Sequence, residues 1–210
     1  MLGVASQNPS EYKNNNGGKS MGLYKYIREA WNRPKEGLGD VWQQRLIAWR
    51  KEPVSIRLEH PTRLDRAHSL GFKAKQGFVV VRHRVLRGGH TRHQIRKGRR
   101  PKHYGTRLNL RKNYQQISED RVQKDYKNLV VLNSYWVAQD GKYFWYEVIL
   151  VDPEHPVIKA DATINWICQN RQRAYHGRTS AGKKSRGISG HHGKGAEKVR
   201  PSQRAHYTTK

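Results

Sequence analysis

Three constellations in this sequence have residue types and spacings that could do chemistry. Gly177-Arg178-Thr179-Ser180-Ala181-Gly182-Lys183-Lys184 comes within one residue of the phosphate-cradling loop GxxxxGK[ST]. Lys184 stands where the magnesium-binding hydroxyl belongs and no apolar strand precedes the glycines, so phosphate contact is expected here and nucleotide hydrolysis is not. Among the eleven histidines, His90, His93, His191 and His192 are best placed for a metal, but Cys168 is the only cysteine and no cysteine pair completes a site. Histidine in a basic, glycine-rich stretch serves rather to donate to phosphate or to stack on a base. Half of the sixteen carboxylates fall in residues 113–167, spread over strand ends and helix caps without forming a paired set. The sequence therefore predicts no enzyme, no metal, no cofactor and no small-molecule substrate.

What remains is the neutralisation of a polyanion. The 210 residues carry a formal charge of +26, and the charge is segregated. Between Arg63 and Lys112 there are 16 Lys and Arg against one acid, Asp65. Residues 113–167 are net −3, and residues 168–210 are net +10. A like-charge block this dense repels itself unless a partner neutralises it. No apolar run approaches the roughly 18 residues of a membrane span, and no basic amphipathic helix stands out, so nucleic acid is the expected partner and a membrane is not. One cysteine and no secretory signal in the first twenty residues suit a reducing, cytoplasmic compartment.

Other elements must hold these cations in place. Phe78 to Val81 form a β-branched and aromatic run that continues as Arg82-His83-Arg84-Val85. With a period of two, Val79, Val81, His83 and Val85 share one face, while Phe78, Val80, Arg82 and Arg84 share the other. Gly88-Gly89 ends this strand (77–86) and opens a long basic loop, 87–116. Leu23, Tyr26, Ile27, Ala30 and Trp31 form a helical stripe with Ser20 as N-cap and Pro34 as its close. A second helix starts at Asp40 in a capping box with Gln43; it packs Trp42, Leu46 and Trp49 inward and ends at Pro53. Thr62 to Asp65 reads as a third capping box, with Gly71 beyond its helix, and Ser118-Glu119-Asp120 as the cap of a fourth helix. Asp140-Gly141 between two apolar strands reads as a type I′ hairpin, pairing Trp136 with Trp145, Val137 with Phe144 and Ser134 with Glu147. Asp161 opens a last helical segment with Ile164 and Ile167 as core residues.

The fold class that follows is α+β: a small, mostly antiparallel sheet covered by helices on both faces, with a long basic loop and a basic unstructured C-terminal tail. Residues 1–20 read as a disordered extension, 21–167 as the body including the loop, and 168–210 as an RNA-binding tail without periodicity. Loop and tail are two separate basic regions. In the tail, composition nominates for phosphate Arg171, Arg173, His191, His192 and Lys194, together with Arg178 inside the near-P-loop.

Four stretches together resemble a known family: Met21-Gly22-Leu23-Tyr24-Lys25-Tyr26-Ile27, GFKAKQGF from Gly71, LNSYWV with YEVILVDP, and TSAGKKSRG from Thr179. They are similar to the e-type family of ribosomal protein fifteen of the archaeal and eukaryotic large subunit. The resemblance runs from Met21 to the basic tail, which makes Met21 a candidate initiator and leaves open whether residues 1–20 are translated. It implies a body on the large ribosomal subunit, with loop and tail in ribosomal RNA, neighbouring large-subunit proteins as further partners, and a role in translation. Carried over by position, it places RNA contacts at Lys73, Lys75 and Gln76. Further contacts fall along Arg82, Arg84, Arg87, Arg92, His93 and Arg96, then Lys97, Arg99, Arg100, Lys102, Arg107 and Arg111. In the tail they fall at Ser180, Lys183, Lys184 and Arg186. Two alternatives carry different signatures. A free-standing RNA-binding or nucleic-acid-compacting protein would share the charge but not need the apolar hairpin, and an RNA-modifying enzyme would need a cofactor loop or catalytic carboxylate.

Overall fold

The structure, a computed structural model, describes residues 22–89, 96–101 and 110–188. The expected extension 1–20, Ser20 and Met21 lie outside the described residues, as do Arg92, His93, Lys102, Arg107, His191, His192 and Lys194. The chain runs α1 (Leu23–Asn32), α2 (Pro34–Gly37), α3 (Asp40–Lys51), β1 (Ser55–Leu58), α4 (Leu64–Ser69), β2 (Phe78–Leu86), α5 (Tyr114–Asp125), β3 (Val130–Gln139), β4 (Tyr143–Val151), α6 (Pro156–Ala160), a 3-10 turn (Asn165–Gln169) and α7 (Ser180–Ser185).

The expected class holds: one antiparallel sheet in the order β1-β2-β4-β3 lies between helical layers. On one face Val80, Trp145, Ile149 and Val151 pack under Trp31, Trp42 and Trp49, with Ile158, Ile164 and Ile167 completing the core. On the other, Val81, Val131, Val148 and Leu150 pack against Val122 of α5 and Ala174. Strand β1 adds an edge that the sequence reading did not contain; four residues with one exposed arginine give too short an alternation to stand out.

The hairpin forms with a different turn. Gln139 pairs with Phe144, Ala138 with Trp145, Trp136 with Tyr146 and Tyr135 with Glu147, and the register shifts between Trp136 and Ala138. None of the three expected pairs is present. The cause is Asp140, whose Oδ1 accepts the Lys142 and Tyr143 amides at 2.7 and 2.6 Å; Gly141 does not adopt the positive φ of a type I′ turn. The two tryptophans pack apart, Trp136 against Trp42 and Trp145 against Trp49.

Helix starts differ as well. Pro34 opens α2 at its first turn instead of only closing α1. The α1 stripe buries Trp31 but leaves Leu23 and Tyr26 exposed, because only its C-terminal end reaches the core. Asp40 is already inside α3, behind Gly39 at φ 50, and makes no capping bond. Thr62 does not cap α4; its amide donates instead to Glu147 Oε2 at 3.0 Å. Gly71 does sit beyond that helix at φ 97, as expected. Helix α5 begins at Asn113, whose side chain accepts the Gln116 amide at 2.7 Å, so Ser118 and Glu119 are buried mid-helix. The apolar count missed the ordering of residues 171–188. Helix α7 is held by Thr179, Ala181 and Gly182, all buried, so the described part of the tail is structured and not the unstructured stretch expected.

Candidate nucleic-acid interface

Sequence places cations along β2 and beyond it, and the fold sorts them into inward and outward groups. Arg82 turns inward: it is 6% exposed, donates to Glu52 Oε2 at 2.5 Å and lies 4.4 Å from the centre of the Trp49 ring. It is a packing residue of the sheet face, not an exposed phosphate ligand. Arg84, half-buried, donates to the Arg50 carbonyl at 2.6 Å and lies over Tyr143. Arg87 is exposed; it donates to the Asp140 carbonyl at 2.5 Å and lies over Phe144. Arg50 donates to Asp140 Oδ2 at 2.7 Å, so Arg50, Arg84 and Arg87 gather at the hairpin turn where the chain leaves the sheet for the loop, and of the three Arg50 alone meets the Asp140 carboxylate. Against the upward push of desolvation, the Arg50 guanidinium and the Tyr143 and Lys142 amides hold the Asp140 carboxyl below its ordinary range.

Beyond this root Arg96, Lys97, Arg99 and Arg100 are all exposed. The loop returns through exposed Arg111 and through Lys112, which donates to Asp120 at 2.5 Å. There it meets the tail. The Asn113 amide donates to Ser185 Oγ at 3.1 Å, and Asn113 Nδ2 donates to the Ala181 carbonyl at 3.1 Å. The end of the loop and α7 therefore share one corner of the molecule, and the described ends of the two regions meet there. Lys183 and Lys184 project from α7 into solvent, and Ser180 is exposed at its first turn.

The other described tail cations have structural partners. Arg173 donates to the carbonyls of Val131 and Leu132 at 3.2 and 3.0 Å while lying over Trp166. Arg171 pairs with Glu154, Arg178 reaches Asn170, and Arg186 reaches the His176 and Gly177 carbonyls. Lys73 and Lys75 converge on Asp161 Oδ2 at 2.9 and 2.5 Å, and Lys73 also donates to Thr163. Two ammonium groups and the Thr163 donors hold the Asp161 carboxyl well below the usual carboxylate range. Gln76 beside them is exposed.

The near-P-loop is built for packing. The Gly182 amide donates to the buried Thr179 Oγ1, and a Cβ on Gly182 would come within 2.5 Å of Gly177 Cα. These glycines approach each other and leave no cradle for a phosphate. Beneath them lies Glu119, which the sequence places at a helix start. It has no solvent exposure, accepts from the hydroxyls of Ser134 and Thr179, and is raised to about 7 chiefly by burial. The Asn113–Gln116 spacing, an N-cap residue and glutamine three apart, was the signal that could have placed it. Among the described residues no group of three or more His, Cys, Asp or Glu could hold a metal ion, and no helix is long and apolar enough to cross a membrane.

Comparison with known sequences agrees with this charge-sorted α+β body. The Ribosomal L15 family, L15e, matches residues 22–206. A relative from Methanocella arvoryzae, the large ribosomal subunit protein eL15, is 50% identical over 187 residues, covering 87% of this chain and 95% of its own length. With nearly every described residue inside that match, the chain belongs to the L15e family of ribosomal proteins.

Proposed function

We propose that this protein is a structural constituent of the large ribosomal subunit, active in cytoplasmic translation, that binds and stabilises folded large-subunit rRNA through its basic loop and tail without catalysing a reaction. The observation that carries this reading is the corner at Asn113. It brings the loop's return, with Arg111 and Lys112, onto the helix that presents Lys183 and Lys184. A cationic face of this kind suits the irregular backbone of folded RNA, where phosphate contacts supply affinity and position. Neighbouring large-subunit proteins are the natural partners of the surfaces the RNA leaves uncovered.

The test is the salt dependence of binding to large-subunit rRNA. Each phosphate neutralised adds about 0.7 to the log–log slope for single strands. Replacing Arg96, Lys97, Arg99 and Arg100 by Ala should flatten the slope by about 3, and replacing Lys183 and Lys184 by about 1.4. Lost affinity at an unchanged slope would refute the electrostatic reading. Equal affinity for unrelated duplexes, with no cosedimentation with large subunits in moderate salt, would favour a free-standing compacting protein.

A further inference from the structure

A cleft of about 620 Å³ opens between the α2–α3 region and the hairpin turn. It falls within the range of roughly 300–1,000 Å³ that small-ligand sites occupy. Its apolar side is Trp42, Leu46 and the half-buried Trp136, with the two indoles 6.3 Å apart. Its rim carries Arg33, Lys35 and Arg87. Two carboxylates share the rim, and both are occupied. Glu36 pairs with Arg33 at 3.5 Å, while Asp140 pairs with Arg50 at 2.7 Å and caps the turn. Arg87 gives one N–H to a neutral carbonyl and has no carboxylate partner among the described residues, and Lys35 is exposed. The exposed side chain of Gln139 adds an amide donor and acceptor at the edge.

We propose that this cleft takes a single unstacked nucleobase of RNA, laid against Trp136, with its flanking phosphates on Lys35 and Arg87 and its edge read by Gln139. The inference rests on the RNA-binding reading above and adds a base-capturing site to it. Aromatic surface bordered by cations is the combination that single-stranded RNA uses, because every base offers a π-face and each nucleotide brings a phosphate. The location agrees, since Arg87 is the last residue before Gly88-Gly89, where the chain enters the basic loop. An apolar peptide would leave the cationic rim without a partner, so charge complementarity selects a nucleotide.

Two measurements on the full chain decide it. In native large subunits irradiated with ultraviolet light, mass spectrometry should find a nucleotide adduct on the peptide containing Trp136 or on that containing Lys35. With deproteinised large-subunit rRNA, Trp136→Leu should weaken binding about tenfold, the order expected for one base–aromatic stack, at an unchanged salt slope. Gln139→Ala, at an exposed position that leaves the core intact, should weaken it several-fold. Native-like hydrogen exchange in both variants excludes misfolding as the cause. Unchanged affinity in the Gln139 and Trp136 variants, or a protein cross-link in place of the nucleotide adduct, overturns the proposal. If the loop and Lys183–Lys184 variants still flatten the slope, only the base site has failed; if they do not, the RNA-binding reading fails with it.

Discussion

Glu119 and Thr179, sixty residues apart in the chain, share a 2.5 Å hydrogen bond at a point where neither residue has any solvent exposure. The Thr179 hydroxyl donates to one carboxyl oxygen and Ser134 of β3 donates to the other. Thr179 in turn accepts the Gly182 amide at the start of α7. A single buried carboxyl thus joins the helix after the loop, the sheet and the tail. The described part of the tail is tied to the body through Thr179 before any RNA is considered.

That carboxyl should make stability depend on pH. Burial raises Glu119 from 4.5 to about 7, so between those values the folded chain holds a proton that the unfolded chain has released. Its contribution to stability therefore falls as pH rises through this window, by about 3 kcal/mol in total, and levels off above it. Glu119→Gln should remove this slope and be the more stable protein at pH 8. Urea midpoints from pH 4.5 to 8 check this, and parallel curves for the two proteins would contradict it.

His83 should act in the opposite sense. Its ring is buried on the α5 side of β2, where Ser55 Oγ lies 2.8 Å from Nδ1 and donates to Asp125. With the serine proton given to Asp125, Nδ1 is the donor to Ser55, and Nε2 is left without a partner. Burial, aided by Arg121 and Arg84, lowers the imidazole from 6.5 to about 4. Here the unfolded chain binds the extra proton, so the stability is complete above pH 6.5 and is lost as pH falls toward 4. Replacing His83 by Gln in the Glu119→Gln background should remove most of the remaining acid sensitivity between those values. A double variant as acid-sensitive as Glu119→Gln alone would show that other groups govern the window.

The glycine pair offers a test of tail docking that leaves charge untouched. Gly182→Ala puts a methyl 2.5 Å from Gly177 Cα, a backbone contact that a side-chain movement cannot relieve. Overpacking of this kind costs about 1–3 kcal/mol. Hydrogen exchange should quicken across 179–186 while β2, β3 and β4 keep their protection. Loss of protection throughout would mean that α7 is part of the core folding unit.

Sequence made the large apolar elements legible because their signals are local. The tryptophans of α3, the β2 run and both hairpin strands follow directly from periodicity, as does a sheet apolar on two sides. Features set by one polar contact were harder to see. The hairpin register depends on the Asp140 carboxylate bonding two amides, which overrides the glycine that suggests a type I′ turn. The start of α5 depends on Asn113, whose side chain also binds the tail. Helix α7 is docked by threonine, alanine and glycine, residues too small to register as an apolar stripe. At the candidate interface, charge marked the loop and tail but not which cations face inward. Arg82 is drawn in by Glu52, an acid thirty residues away whose position only the tertiary fold supplies.

Lys73 and Lys75 remain the cations whose allegiance is divided, and Asp161 decides it. The carboxylate accepts from both ammonium groups, so one largely covered negative charge faces two positive ones, of which Lys73 is the more exposed. An RNA phosphate approaching this site competes with Asp161 for the lysines. Asp161→Asn removes the competitor while keeping an oxygen that can still accept the Thr163 amide, now 3.0 Å from Oδ1. If these lysines meet RNA, the variant should bind large-subunit rRNA more tightly, with a salt slope steeper by about 0.7 for one further phosphate engaged. If they serve only to tie the segment before β2 to the 160s region, the slope will not change, and thermal unfolding will register the loss of the ion pairs instead. Measuring both quantities on the same preparation separates the two roles, and a steeper slope assigns Lys73 and Lys75 to the interface.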